Sequence, residues 1–228
     1  MKLSFFGRRR KQDRAALEQF VQQIYWGENL TAVQSRQQLE RGLLELTESG
    51  NHAANGLLIT ANGYFLTAAH CTEDLAKFAV QGEPGEVYAI EKICAADPES
   101  DVALVKARIP GESKPLQYRF YNSTWLESLK RQPVALFTRR NGTIITKYGF
   151  VENPSTSTVV YDEINPSLHS SQVWLSMDSC FGDSGGIVAS DDARIIGIHS
   201  SGNTDRSLAS GVKLFKALEL IGSYAAKL

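Results

Sequence analysis

Apolar side chains recur at helical spacing near both ends of the chain and at strand spacing between them. Leu17, Phe20, Val21 and Ile24 fall at i, i+3, i+4 and i+7, which predicts an amphipathic helix, and Leu39, Leu43 and Leu46 predict a second. Thr31 with Gln34 makes a capping box for that second helix, and Gly50 supplies its stop. From Asn51 the pattern changes to short runs bounded by turn formers, at 56–60, 64–68, 86–93, 102–107, 134–138, 143–148, 158–161, 173–176 and 194–199. Asn62-Gly63 and Asn141-Gly142 each sit between two runs, where a two-residue hairpin turn needs residues tolerant of positive φ. So many short strands predict a barrel or a sandwich. Helical spacing returns at Leu214, Leu218, Ile221 and Ala225. The expected organisation is a helical extension over 1–50 and an all-β domain over 51–228 that closes with a C-terminal helix.

Composition narrows the class without choosing a function. With 228 residues, 43% hydrophobic and 21% charged, the chain reads as one ordinary domain with an appendage, not a disordered, collagen-like or coiled-coil protein. Its 24 Lys plus Arg against 25 Asp plus Glu give the bulk chain no electrostatic bias toward nucleic acid or membrane. Arg8-Arg9-Arg10-Lys11 reads as a solvated basic tail ahead of the first helix. Cys71, Cys94 and Cys180 cannot all pair within one chain, which fits a reducing compartment. No apolar core follows the basic N-terminal residues and no run of eighteen apolar residues exists, so the expectation is a cytoplasmic protein without a membrane span. His52 and His169 lack partners at metal-ligand spacing, and no metal or cofactor is expected.

The chemistry concentrates in Gly182-Asp183-Ser184-Gly185-Gly186. A serine hydroxyl needs an adjacent base to act as a nucleophile, and the oxyanion it creates needs donors already in place. Glycines around a serine let the backbone turn so that successive N–H groups point at one spot. A base and an acid precede it: Thr67-Ala68-Ala69-His70-Cys71 ends one predicted strand, and Ser100-Asp101 opens another through Val102-Ala103-Leu104-Val105.

With these three motifs in the order His, Asp, Ser, the sequence resembles the trypsin-like serine peptidases over roughly 51–228. The resemblance implies the chymotrypsin-type fold of two six-stranded β-barrels. It also implies a triad in which His70 is the general base, Asp101 its carboxylate partner and Ser184 the acylated nucleophile, with the N–H groups of Gly182 and Ser184 as the oxyanion hole. Asp97 competes for the acid role. Asp101 is preferred because the family places its acid directly before such an apolar run, and Asp97 reads as a turn residue before Pro98. The 31 residues from His70 to Asp101 and 83 from Asp101 to Ser184 look more like bacterial HtrA-type and glutamyl peptidases than secreted digestive enzymes. Secreted relatives pair the cysteine after the catalytic histidine with one sixteen residues upstream, a position that is Asn55 here. They also free an N-terminal amine to pair with the aspartate before the nucleophile. Asp183 is present without a recognisable start of that kind, so it has another partner or an unrecognised processing site.

Specificity stays open. The resemblance places Asp178, Ser179, His199, Ser200 and Gly202 around the substrate. Asp178 matches the pocket-floor acid that receives Arg or Lys, whereas His199 with Ser179 matches a pocket for Glu or Gln. Facing each other, Asp178 and His199 would neutralise one another. Substrate would be an extended polypeptide paired with Ser200–Gly202. Two rival readings are a catalytically silent peptide-binding module and a peptidase recruited to a protein partner by its N-terminal helices.

Overall fold

The computed structural model describes residues 2–26, 30–74, 77–82, 86–109, 116–121, 128–161, 166–202 and 209–228. Helix α1 (Lys2–Trp26) docks through Leu17, Phe20 and Val21 of the predicted face, and the side chain of Ile24 lies outside the described residues. Leu17 and Phe20 are fully buried, and the Phe20 ring stands edge-on to Tyr118 and Phe120, with centroids 6.4 and 5.6 Å away. Asp13 on the same helix accepts from Asn62 Nδ2 at 2.8 Å and pairs with Lys106 Nζ at 3.3 Å.

Helix α2 (Ala32–Gly42) carries the expected capping box: Thr31 Oγ1 accepts from Gln34 N–H, and Gln34 Oε1 accepts from Thr31 N–H. It ends at Gly42, eight residues before the predicted stop, and Leu43–Glu48 is the first barrel strand, β1. The boundary at 50 is therefore corrected to about 42. Leucines at i and i+3 fit a helix or a strand buried on both faces, and pairing with two neighbouring strands decides for the strand. Gly42 lets the chain pass Tyr118, whose hydroxyl would lie 1.9 Å from an added Cβ. Ser49 and Gly50, with φ of 50° and 82°, form the tight turn out of β1.

The first barrel closes in the order β1-β2-β3-β6-β5-β4, with β2 (Asn51–Leu58), β3 (Tyr64–Thr67), β4 (Phe78–Gln81), β5 (Val87–Asp97) and β6 (Val102–Ala107). The second runs β11-β8-β9-β10-β13-β12 and closes through β11–β12 pairing. It comprises β8 (Pro133–Arg140), β9 (Thr143–Tyr161), β10 (Pro166–Ser176), β11 (Ile187–Ser190), β12 (Arg194–Gly202) and β13 (Ala209–Lys213). The short β7 (Arg119–Phe120) adds to β12 in parallel. Helix α3 (Leu214–Ala225) then returns across the first barrel, burying Leu214, Ala217, Ile221 and Ala225.

Asn141-Gly142 is the predicted hairpin, with φ of 51° and 74° and Arg140 paired to Thr143. Asn62-Gly63 is not. There β2 and β3 are joined over 59–63, with the Ile59 and Thr60 N–H groups both directed at Tyr64 O, and Asn62 uses its side chain to anchor α1. The predicted runs 143–148 and 158–161 are one strand, β9. The side chain of His169 lies outside the described residues.

Candidate active site

The cleft between the barrels collects residues from both. His70 lies in a single 3₁₀ turn (Ala69–Thr72) after β3, Asp101 in the turn before β6, and Ser184 in the loop before β11. The Asp101 carboxylate is buried and faces His70 twice, accepting from the backbone N–H at 2.9 Å and lying 2.9 Å from Nδ1. Ser200 Oγ donates to its second oxygen. Asp101 itself holds a left-handed φ of 57°, which turns its side chain under the imidazole. On the other side of the ring, His70 Nε2 is 3.0 Å from Ser184 Oγ. Asp97 accepts from Ser100 N–H in the turn before β6.

Charge follows this geometry. Burial favours the neutral imidazole of His70, but the hydrogen bond and charge of Asp101 override it and push the pKa up. Burial raises Asp101, and its bonds to His70 and Ser200 more than offset that, holding the carboxyl below the usual range.

The loop carrying Ser184 is clamped on every side. Gly182 and Gly185 take φ of 89° and 78°, and a Cβ at Gly185 would meet Asn55 O at 1.9 Å, so glycine is required there. The N–H groups of Asp183, Gly185 and Gly186 are used within the protein. Those of Gly182 and Ser184 donate to no acceptor among the described residues, leaving two unspent donors beside the hydroxyl. Asn55, at the position of the cysteine in secreted relatives, donates through Nδ2 to Gly182 O at 2.7 Å and through its backbone to Ser184 O at 2.8 Å.

Asp183 is buried and meets Lys147 Nζ at 2.6 Å while accepting from Cys180 N–H. Burial alone would raise its pKa, yet these bonds hold it low, and Lys147 is correspondingly pushed up against its own burial. Lys147 has no neighbour in sequence that signals this role. The strand register brings it in from β9.

The residues expected around the substrate differ in burial. Asp178 is exposed. His199 is buried, with Nε2 2.8 Å from Ser179 Oγ, and burial lowers its pKa to about 4, so the ring is neutral. Among the described residues no ion pair joins His199 to Asp178. Ser200 is buried and spends its hydroxyl on Asp101, while its carbonyl lies 3.2 Å from Ser184 Oγ. Strand β12 pairs with β11 only as far as Ile198, which leaves the Ser200–Gly202 edge without a strand partner on that side among the described residues. Phe181, which the sequence did not single out, stands fully exposed next to Gly182.

A family profile described as the trypsin-like peptidase domain matches residues 54–198, more than half of the chain. The chain belongs to this family. Solved structures agree on the fold of this trypsin-like peptidase. The MamO protease domain from Magnetospirillum magneticum, in its apo form, aligns with TM-score 0.61 and 16% identity over 81% of this chain and 97% of that one. The inactive serine-to-alanine form of Rv3671c from M. tuberculosis H37Rv gives TM-score 0.64 and 14% identity over 82% and 88%. The serine endoprotease from Yersinia pestis gives 0.63 and 14% over 87% and 68%. No curated protein sequence matches the chain significantly. Among the described residues, no helix of this trypsin-like peptidase is long and apolar enough to cross a membrane.

Proposed function

We propose that this serine endopeptidase cleaves polypeptides through His70, Asp101 and Ser184 by way of an acyl-enzyme. The reading is carried by the line of contacts from Asp101 through His70 to Ser184 Oγ, beside two unspent amide donors. As Oγ bonds to the scissile carbonyl carbon, its proton passes to His70 Nε2, and the Gly182 and Ser184 N–H groups receive the oxyanion. The C–N bond then breaks, with the imidazolium giving its proton to the departing amine, and water releases the acyl group by the reverse sequence of proton transfers.

Lys147 fills the place of a freed N-terminal amine opposite Asp183, so activity needs no processing. For the residue before the cut, we favour Gln or Glu over Arg or Lys. A neutral imidazole hydrogen-bonded to Ser179 suits a carboxamide or carboxyl, and the exposed Asp178 is poorly placed to ion-pair with a cation inside a pocket. Substrate adds as a strand to Ser200–Gly202, with Phe181 as an apolar wall. Three free thiols suit a reducing setting such as a bacterial cytoplasm. A recruiting role for the helices would use outward residues, Arg8, Arg10 and Lys11 on α1 and Val33 on α2, because Leu17 and Phe20 are already occupied.

A proteome-derived peptide library digested by wild type and by Ser184→Ala tests both levels. Cleavage after Gln or Glu that vanishes in the variant supports the reading. Cleavage after Arg or Lys overturns the specificity, and cleavage that survives in Ser184→Ala overturns the mechanism.

A further inference from the structure

A second histidine–carboxylate pair lies behind the oxyanion loop. Glu45, on β1, is fully buried. Its Oε1 accepts from Asn141 N–H at 2.8 Å and lies 2.9 Å from His52 Nδ1, while Oε2 accepts from Gly142 N–H at 2.9 Å. The other ring nitrogen, His52 Nε2, lies 2.8 Å from Gly182 O. One residue earlier, Arg140 NH2 donates to Phe181 O at 2.9 Å.

These contacts set the two peptide planes that meet at Gly182. The Phe181–Gly182 plane carries the first oxyanion donor, and in a trans peptide the N–H points opposite to the carbonyl that Arg140 holds. The Gly182–Asp183 plane is set by His52 and Asn55 at the Gly182 carbonyl. Glu45 ties both sides together, because it holds His52 directly and also the turn that begins one residue after Arg140. A Cβ at Gly182 would lie 2.6 Å from the His52 ring and 3.1 Å from Arg140 NH2, so the groups are packed against the loop with no room for another side chain.

We propose that Glu45 and His52 form a positioning pair that fixes the Gly182–Asp183 peptide and so, with Arg140 holding the Phe181–Gly182 peptide, keeps the Gly182 N–H aimed at the oxyanion. The proposal rests on the peptidase reading above. A peptide carbonyl can only accept, so the bond to Gly182 O requires hydrogen on His52 Nε2. The ring bridges the Glu45 carboxyl and the Gly182 carbonyl, and Arg140, Lys147 and Asp183 are the other charged groups at the loop.

Two measurements test this. The first follows the rate at which a fluorophosphonate labels Ser184, together with kcat and KM for a peptide found in the library digest. Loss of one preorganised oxyanion donor lowers turnover by about a hundredfold to a thousandfold. Loosening it through His52→Ala is expected to slow labelling and lower kcat by roughly tenfold to a hundredfold, with KM changed less than about threefold. His52→Gln, whose amide can donate to Gly182 O, restores most of the rate. The second is a nitrogen-15 spectrum of histidine-labelled protein under the same conditions, with His52 assigned from its variants, in which Nε2 carries hydrogen. Labelling at the wild-type rate in His52→Ala, or a His52 Nε2 without hydrogen, overturns the proposal. The spectrum needs no substrate, so it separates failure of the clamp from failure of the peptidase reading, which appears as wild-type protein that takes up no probe.

Discussion

At the scale of single residues, Asp101 shows how one side chain sets both the orientation and the ionisation of another. Its carboxylate contacts the His70 backbone and ring together and raises the ring's pKa. A general base must be neutral, so activity rises with pH as His70 loses its proton, and the acid limb lies above that of an ordinary histidine. Asp101→Asn is expected to lower kcat by about ten-thousandfold and to move the acid limb to lower pH, because the imidazolium loses its counter-charge. A pH–rate profile of the variant checks both. His199 has the opposite sign. Its folded pKa is near 4 against an ordinary 6.5, so the unfolded chain binds more protons between those values. Stability should therefore fall as pH drops below about 6.5, by on the order of 3 kcal/mol in all. Denaturant titrations of wild type and His199→Gln across that range measure it, and the variant should lose this component of the slope.

Elements bring together what single positions cannot. Register on β9 delivers Lys147 to Asp183, 36 residues away. Removing one partner of a buried pair costs about 3–5 kcal/mol, and with Arg140 still 3.8 Å from Asp183 the loss in Lys147→Met should lie toward the lower end of that range, with slower acylation of Ser184. The pair's contribution is full above the ordinary carboxyl pKa of about 3.9 and below the ordinary lysine value of about 10.4. It is lost as pH falls through the depressed value of Asp183 or rises through the elevated value of Lys147. At this scale the sequence is only partly readable. The turn glycines and the strand ending at His70 carry local signals, whereas Lys147, His52 and Glu45 acquire their partners only when the barrels form. β4 and β11 are short runs without a distinguishing pattern, and the leucines of β1 have helical spacing although their neighbours in space are strands.

The whole molecule is two barrels joined by helices that belong to the fold. Ser35 on α2 donates to Ala193 O in the second barrel, and the buried Arg139 reaches back to the Glu40 and Leu43 carbonyls near the end of that helix. Removal of residues 1–50 would take β1 out of the first barrel, so a truncation that probes the helices must stop before it. Phe20→Ala should lower stability by about 3–5 kcal/mol, since the ring is buried against Tyr118 and Phe120. If α1 were a detachable arm, thermal melting of that variant would match wild type. The account as a whole depends on three distant groups acting as one unit in the cleft between the barrels. Fluorophosphonate labelling followed by mass spectrometric mapping is the most direct measurement of that unit. The expected result is one adduct, on Ser184, lost in Ser184→Ala and slowed at least a thousandfold in His70→Ala. A folded wild-type protein that forms no adduct, or forms it elsewhere, would contradict the account.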